Sequence, residues 1–348
     1  MTVDSSLDIV IAWHGLPHYG ARLLNQTAAS TNLAFRVIGT SSSVPQSEIE
    51  ATLEQQVIWI DPARSIQWAD LALKVPRLFI HTGWAYPAFN SLAKAVKRAG
   101  GRVVAIVDNN RKNTLRQLGG SLVFRAIHRS RLDAVWVPGQ SGCQLMQLFG
   151  LAGENVYTGV YGADPTVFYV GPPLYQRLKQ FLFVGQLIPR KAPDLLVRAF
   201  IRFRSHNPDW SLKIVGSGPL QPELARDGIQ VVPFLPPESV AKHFRESRFL
   251  VLPSHEEHWG VVVHEAALSG CGLILSDAVG AAPDLVDRSN GFIFAKGDVD
   301  DLCRSLEAAA SQTVVQLTRT LEGSVGLASR FGPRHFAQSL SQMIVDLG

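Results

Sequence analysis

The chain has 348 residues, of which 46% are hydrophobic and 18% are charged, so it can bury a large core and lacks the composition of a disordered protein. Its length suits two domains better than one. The net charge of +4 is too small to indicate nucleic-acid binding, and we expect no nucleic-acid partner.

Short apolar runs of strand length recur along both halves of the chain. In the first half they are LDIVIAW, FRVIGT, QVIWI, RLFIHT, GRVVAIVD and LDAVWVP. In the second half they are FLFVGQL, SLKIVGSG, IQVVPF, RFLVLP, GLILSD and GFIF. Helical stretches such as FNSLAKAVKRAG and APDLLVRAFIRF alternate with them. This pattern predicts an α/β fold with two doubly wound, Rossmann-like domains that face each other across a cleft.

The segment FYVGPPLYQ interrupts the strand pattern with a glycine and two prolines, which predicts a domain boundary there. We therefore assign residues 1–170 to the first domain and 171–330 to the second. A Gly-Pro break precedes RHFAQSLSQMIVDL, and the remaining segment, 331–348, is predicted to form an amphipathic helix.

Candidate ligand-binding groups follow the first-half strands, at the sheet edge where doubly wound domains bind ligands. The first strand runs into WHGLPHYG, where Gly15 and Gly20 allow a loop close to a ligand before a helix that starts near Ala21; a plain turn is the alternative. His81 ends RLFIHT, and Asp108 follows the apolar part of GRVVAIVD. Either side chain is suited to hydrogen-bond a ligand in the cleft. For His81, a structural histidine at the strand end, hydrogen-bonded only within the protein, is an equally good interpretation.

The segment Arg111–Arg131 carries basic residues, apolar residues between them and no acidic residue. This combination is compatible with a peripheral contact on an anionic membrane surface. A solvated basic face is the alternative interpretation.

In the second half, FLFVGQLIPRKAPDLLVRAF predicts a strand, a loop with Arg190 and Lys191, and a helix. Cations in such a turn suit a diphosphate. The next strand ends at Gly216, in VGSGPLQ. Because the third glycine of the dinucleotide fingerprint is missing, this turn argues against a dehydrogenase.

The most informative stretch is LPSHEEHWGVVVHEAALSGCGLILSD, a predicted strand, loop and helix. Glu257 lies in the loop and Glu265 in the helix, so one carboxylate can bind sugar hydroxyls and the other a ribose diol. The backbone around Trp259 and Gly260 lies near the helix N-terminus, which favours a phosphate.

This stretch resembles the large retaining family of glycosyltransferases numbered four, which have the GT-B fold. The matching positions are Pro253, Ser254, Glu257, Trp259, Gly260, Glu265, Ala266 and Gly270. The resemblance implies a nucleoside diphosphate sugar as donor, with Glu257 on the donor sugar, Glu265 on the ribose, and Lys191 with Arg190 on the diphosphate. It also implies that Gly216 lines the nucleotide pocket, that the Gly15–Gly20 loop approaches the donor, and that the last helix crosses back to the first domain.

Two positions depart from the family pattern. Gln186 stands where the family has an arginine that binds the diphosphate. Asp108 stands where the family commonly has a histidine, so Asp108 and His81 join Glu257 as catalytic candidates without a firm general base. These departures support one alternative, a nucleotide-sugar-binding partner protein without transferase activity. A GT-B-fold epimerase is a weaker alternative, because the glutamate signature belongs to transferases.

We expect no metal and no cofactor. Asp298 and Asp300 resemble the acidic pair of metal-dependent transferases, but Asp298 is placed to cap a helix. The run His255–His258 lacks the i, i+4 histidine spacing of zinc proteases. Three widely spaced cysteines, a first segment unlike a secretory signal, and no apolar run of membrane-spanning length predict a cytoplasmic protein, peripheral at most.

Overall fold

The computed structural model describes residues 8–31, 33–41, 45–112 and 114–347. The chain forms two compact units, one made of Met1–Gly162 with Gly332–Gly348 and the other of Ala163–Phe331.

The division between the units falls eight residues before the predicted boundary at 170/171. The reason is that the segment after Gly162 packs on the second unit. The Ala163 N–H donates to Nδ1 of His264 at 2.8 Å, and the Phe168 ring meets the Phe244 ring edge-on at 6.0 Å.

The N-terminal unit is built on a parallel sheet of seven strands in the order β3-β2-β1-β4-β5-β6-β7. The strands are β1 (Ile9–Trp13), β2 (Phe35–Gly39), β3 (Val57–Trp59), β4 (Leu78–Thr82), β5 (Arg102–Ile106), β6 (Ala134–Trp136) and β7 (Val156–Tyr157). Each of the six predicted runs forms one of these strands, and the two-residue β7 is an addition. Strand β1 pairs with both β2 and β4, with Ile9 opposite Phe35 on one side and Leu78 on the other. The chain therefore reverses its winding direction between β1 and β4.

Helices cover this sheet because its strands are apolar on both faces, as the fully buried run of β1 shows. They are α1 (His18–Thr31), α2 (Gln46–Thr52), α3 (Pro87–Arg98), α4 (Leu115–Val123) and α5 (Gln140–Leu148). A single π-helical turn, Phe124–His128, continues α4.

The C-terminal unit repeats the plan with six parallel strands in the order β10-β9-β8-β11-β12-β13. They are β8 (Leu178–Val184), β9 (Ser211–Val215), β10 (Ile229–Val232), β11 (Ser247–Leu252), β12 (Gly272–Ser276) and β13 (Gly291–Phe294). Here the winding reverses between β8 and β11, which are neighbours in the sheet. The predicted fold class of two doubly wound α/β domains is confirmed.

The helices of the C-terminal unit are α6 (Pro193–Arg204), α7 (Pro237–Glu246), α8 (Val261–Leu268), α9 (Ala282–Leu285), α10 (Val299–Ala310) and α11 (Val314–Ala328). The Asp298 carboxylate accepts hydrogen bonds from the N–H groups of Asp300 and Asp301, both at 2.9 Å, and so caps α10. The capping interpretation of Asp298 is confirmed.

The last helix, α12 (Pro333–Leu347), belongs to the N-terminal unit. The Phe336 ring lies 4.4 Å from the Trp136 ring, and the Tyr157 hydroxyl donates to Oδ2 of Asp346 at 2.7 Å. These contacts fix α12 beside the end of the N-terminal sheet. Among the described residues, no helix has the length and apolar character that crossing a membrane requires.

Candidate functional site

The C-terminal unit brings charged side chains together where its winding reverses. The loop after β8 begins at Gly185 and the loop after β11 at Pro253, and the two strands are neighbours. In a doubly wound sheet, loops leaving such a pair of strands diverge and open a crevice for a ligand. The predicted diphosphate and donor-sugar residues lie on these two loops.

The loop after β8 presents its two cations differently. A short 3-10 turn covers Pro189–Lys191, and Ala192 then takes the left-handed conformation, with φ of +50°, before α6 begins. Arg190 is exposed, and its Nη1 donates to the Glu256 carbonyl at 2.9 Å. The Lys191 side chain is only 12% exposed. Lys191 is thus held inside the loop region while Arg190 lies at its surface.

Lys191 and Glu257 form an ion pair, with Nζ of the lysine donating to Oε2 of the glutamate. The Glu257 side chain is only 11% exposed. Its backbone is held on both sides: its N–H donates to the Ala278 carbonyl at 3.2 Å, and its carbonyl accepts from the Gly280 N–H at 3.0 Å. Two predicted site residues that are 66 positions apart in the chain are therefore in direct contact. The pair offers one cation and one anion to a ligand in the crevice.

The turn at Gly216 lies directly against the loop after β8. A Cβ at Gly216 would lie 1.9 Å from the Gly185 carbonyl oxygen, so only glycine allows this approach. The Gly185 N–H donates to the Val215 carbonyl at 3.0 Å. Gln186, which replaces the family arginine, is exposed in the same loop. The structure places Gly216 and Gln186 in one loop cluster, and their contact with a nucleotide remains a prediction.

Helix α8 begins after Gly260, whose φ is +87°. A Cβ at Gly260 would lie 3.0 Å from Cγ of Glu257, so glycine keeps the loop carboxylate in place. The Trp259 side chain is 2% exposed and packs on Phe331 at 5.4 Å between ring centres. It is a core side chain, and only its backbone remains available for the predicted phosphate contact. Glu265, predicted to bind ribose, is half-buried on α8.

His264 is a residue of this region that the sequence analysis did not select. It is fully buried, and its Nδ1 accepts the Ala163 N–H at 2.8 Å. Since Nδ1 accepts, Nε2 carries the proton and donates it to the Ala328 carbonyl at 3.0 Å. Burial lowers the pKa of His264 to about 4, and the backbone of Ala328 offsets part of that effect. The neutral His264 ring therefore links α8 to Ala163, where the C-terminal unit begins, and to Ala328, the last residue of α11.

In the N-terminal unit, the loop after β1 is fastened to the neighbouring strand ends. The His14 N–H donates to Oγ1 of Thr82 at 2.6 Å, and the Gly15 N–H donates to Oγ1 of Thr40 at 2.9 Å. Gly15 has a φ of +58°, which explains the glycine there. Gly20 lies elsewhere than expected: α1 begins at His18, so Gly20 is a buried helix residue and not part of the loop.

His81 lies inside the N-terminal sheet and not at its edge. It is 1% exposed, and its ring lies 5.1 Å from that of Phe79 and 5.9 Å from that of Phe89. Burial lowers the pKa of His81 to about 4, and the backbone of Gly83 offsets part of that effect. A side chain enclosed in this way is neutral near pH 7 and is poorly placed to touch a substrate.

Asp108 follows β5 within a group of aromatic side chains. Its Oδ2 accepts the Tyr161 hydroxyl at 3.3 Å. Burial, followed by Tyr19 and Asp108, raises the pKa of Tyr161 well above its ordinary value, so this hydroxyl stays protonated as a donor. Tyr86 stacks on His14 at 4.1 Å between ring centres. The sequence analysis did not select Tyr86 or Tyr161, because neither directly follows a predicted strand and both reach the group through tertiary packing.

The run His255–His258, the second motif that resembles a metal site, also has a local explanation. Nε2 of His258 lies 3.4 Å from Oε1 of Glu256, so these two side chains pair with each other. Within residues 8–31, 33–41, 45–112 and 114–347, no cluster of three or more His, Cys, Asp or Glu side chains is arranged to hold a metal ion. Metal independence stays a prediction.

Comparisons with known proteins concern the part of the chain that contains these loops. Residues 178–312, which include both loops of the C-terminal crevice, match the family model for glycosyl transferases group 1. The D-inositol 3-phosphate glycosyltransferase of Stackebrandtia nassauensis is 29% identical over 221 residues, which cover 56% of this chain and 50% of that protein. The chain thus spans about half the length of the curated relatives it matches.

Two solved structures share the fold over nearly the whole chain. Anabaena HepE in complex with UDP has a TM-score of 0.76 at 16% identity and covers 98% of this chain and 100% of its own. Sucrose-phosphate synthase of Thermosynechococcus elongatus has a TM-score of 0.71 at 16% identity and covers 97% of this chain and 98% of its own. The expected resemblance is confirmed: residues 178–312 match the glycosyl transferases group 1 family, in a chain that has the GT-B fold.

Proposed function

We propose that this protein is a retaining glycosyltransferase of the hexosyl type, which moves a sugar from a nucleoside diphosphate sugar to a hydroxyl of a saccharide or lipid-linked saccharide. The observation that carries the proposal is the Lys191–Glu257 pair, which lies at the winding reversal of the C-terminal sheet, within the segment that matches the family model. HepE was solved with UDP and with UDP-glucose, so UDP is the first diphosphate to test.

In the proposed reaction the bond between the sugar C1 and the diphosphate oxygen breaks, and a bond from C1 to the acceptor oxygen forms on the same face. The acceptor proton passes to the departing diphosphate. Lys191, helped by Arg190, stabilises the charge that develops on that diphosphate. Glu257 accepts hydrogen bonds from donor-sugar hydroxyls, and Glu265 accepts them from the ribose. Positioning and charge stabilisation are the protein's main contributions.

On the acceptor side we assign a positioning role to Asp108. It lies after a strand of the N-terminal sheet and already accepts one hydroxyl, that of Tyr161, as it would accept the hydroxyl of a sugar. We assign His81 no contact with substrate because it is enclosed in the sheet. We place the reaction in the cytoplasm, which suits the three cysteines, none of them in a disulfide, and at the inner face of an anionic membrane.

The test is a thermal-shift panel of UDP, GDP, ADP, CMP and their sugars in EDTA, followed by turnover with the donor that stabilises the protein. We expect stabilisation by one nucleoside diphosphate and formation of a product with the donor's anomeric configuration, read by NMR. Lys191→Met should reduce the shift, because it removes a cation from the diphosphate. Lys179→Met is the matched control, since Lys179 is a half-exposed lysine of the same unit, paired with Asp209.

Each other outcome has a distinct meaning. No shift with any nucleotide would refute the assigned donor site. A shift without transfer to any acceptor would favour the nucleotide-sugar-binding protein that lacks transferase activity. Loss of transfer in EDTA, restored by a divalent cation, would refute the metal-free reaction.

A further inference from the structure

We propose that the outward face of α4 and of the π-helical turn after it is a docking surface for an anionic lipid bilayer. This α4 face consists of Leu115, Leu118, Leu122, Val123 and Ile127. The proposal deepens the peripheral location proposed for the enzyme, and its test does not depend on glycosyl transfer.

The α4 face exposes several large apolar side chains to solvent. Leu115 is 85% exposed, Leu122 is 68% exposed and Leu118 is 49% exposed. Val123 and Ile127 follow with 52% and 44%. Five large apolar side chains within one stretch of 13 residues, all substantially in solvent, form a surface of the kind that marks an interaction site.

Helical geometry separates this face from the part of α4 that holds it to the protein. Positions 115, 118 and 122 have the spacing of one helix face, whereas Phe124 is buried on the opposite side and Ser121 is buried at the edge between the two. The Phe124 ring packs against that of Trp84 at 4.9 Å. Nη2 of Arg125 donates to the Leu148 carbonyl at 2.9 Å. Since the helix is anchored by other residues, its leucines do not serve the core.

The charge around the α4 face is entirely positive along the chain. Between positions 111 and 131 there are six Lys and Arg residues and no Asp or Glu. The whole chain has a net charge of +4, so the rest of it carries 4 − 6 = −2. The positive charge of the protein is therefore concentrated in the segment that also exposes the leucines.

Apolar side chains flanked by cations match the boundary between acyl chains and anionic headgroups. A second copy of this chain is a poorer occupant. A symmetric dimer places the same patch on both sides of its interface, so the cations of one copy would face those of the other, and like charges opposed in this way weaken association.

The test is co-sedimentation of the 348-residue protein with phosphatidylcholine vesicles that contain 30% phosphatidylglycerol, against pure phosphatidylcholine vesicles. We expect binding to the anionic vesicles only, reduced by 0.5 M salt. Leu118→Ser with Leu122→Ser should weaken binding about tenfold or more by removing the apolar contact, without lowering the melting temperature. Val314→Ser with Val315→Ser is the control, because these valines are 57% and 62% exposed on α11; its binding should equal that of the wild type.

Four results would overturn the proposal. The first is equal binding to neutral and anionic vesicles, and the second is no binding to either. The third is an equal loss of binding in the leucine and valine variants. The fourth is a dimer in solution that the leucine variant converts to a monomer, which would assign the α4 face to a second copy of the chain. None of these results bears on donor binding or turnover, so the proposed reaction is judged separately.

Discussion

Replacing either residue of the Lys191–Glu257 pair should lower the stability of the C-terminal unit by a similar amount. The two replacements should change its affinity for a diphosphate differently. Glu257→Gln leaves the lysine without its carboxylate, and Lys191→Met leaves the carboxylate without its cation. Removing one partner of a fully buried pair costs about 3–5 kcal/mol, and an exposed pair contributes about 0–1 kcal/mol. The side chains are 12% and 11% exposed and border a crevice that solvent enters, so we expect a loss of about 2–3 kcal/mol for either variant.

For a domain of this size, that loss lowers the melting temperature by about 4–12 °C. The double variant should recover part of it, because neither unpaired charge remains. The two single variants should differ in UDP affinity. Lys191→Met removes a cation from the diphosphate and should weaken binding about tenfold or more. Glu257→Gln removes a competing anion and should leave binding unchanged or tighter.

The assay is thermal unfolding of the four proteins together with calorimetric titration of each with UDP at one salt concentration. If the two stability losses simply add in the double variant, the pair is not a coupled unit. If Glu257→Gln weakens UDP binding as much as Lys191→Met does, then Glu257 does not compete for the lysine and the argument fails.

Three further predictions concern single residues. Gly260→Ala requires a left-handed alanine and brings a Cβ 3.0 Å from Cγ of Glu257, so turnover should fall about tenfold. The control is Gly326→Ala on α11, whose Cβ meets nothing within 4 Å; it should leave turnover unchanged and raise stability by up to about 1 kcal/mol, and an equal loss of turnover in the two variants would refute the reasoning. The folded pKa of His81 is about 4 against an ordinary value of 6.5, so the unfolded chain binds more protons between these values, and His81 lowers stability by about 3 kcal/mol as the pH falls to 4. His264 has the same folded pKa and adds a similar loss, so His81→Phe should reduce, and not abolish, the fall in melting temperature between pH 7 and pH 5; an unchanged slope would contradict this. Asp108→Asn should lower kcat/KM for the acceptor about tenfold and leave the Kd for UDP unchanged, whereas a raised Kd would move Asp108 to the donor side.

The sheets were predictable because their strands are short, apolar on both faces and separated by helices. All twelve predicted runs form strands, and only the two-residue β7 escaped, since Val156–Tyr157 is too short to produce a pattern. The domain boundary was predicted eight residues too late. Glycine and proline at 171–173 mark a break in the strand pattern, but the preceding segment is already held by tertiary contacts such as that of Ala163 with His264, which no local pattern reveals.

The candidate site was predictable in part, for a related reason. Loop residues such as Lys191 and Glu257 follow strands whose order is fixed by the doubly wound topology, so their approach follows from the fold. His81 also ends a strand, but its neighbours Phe79 and Phe89 enclose it, and burial depends on packing that the strand itself does not encode. The partners of His264 and Tyr161 likewise come from distant segments. Sequence patterns locate side chains along elements, and only the fold decides which of them reach solvent.

In the donor complex that we propose, the loops of the C-terminal crevice keep their backbone fixed and the ligand separates the Lys191–Glu257 pair. The loops after β8 and β9 are joined by the hydrogen bond from the Leu187 N–H to the Ser217 carbonyl at 2.9 Å, and the loops after β8 and β11 by that from the His255 N–H to the Arg190 carbonyl at 2.9 Å. A diphosphate therefore has little backbone to reorganise on binding. In this proposal its main cost is the transfer of Lys191 from Glu257 to a phosphate oxygen, and the Glu257 carboxylate released by that step would become available to the donor-sugar hydroxyls. In the proposed reaction, a free nucleoside diphosphate breaks the Lys191–Glu257 pair and gains only the contact of its phosphate with Lys191. A nucleoside diphosphate sugar also places its hydroxyls on Glu257. The pair therefore favours binding of the intact donor over binding of the diphosphate product, which must leave.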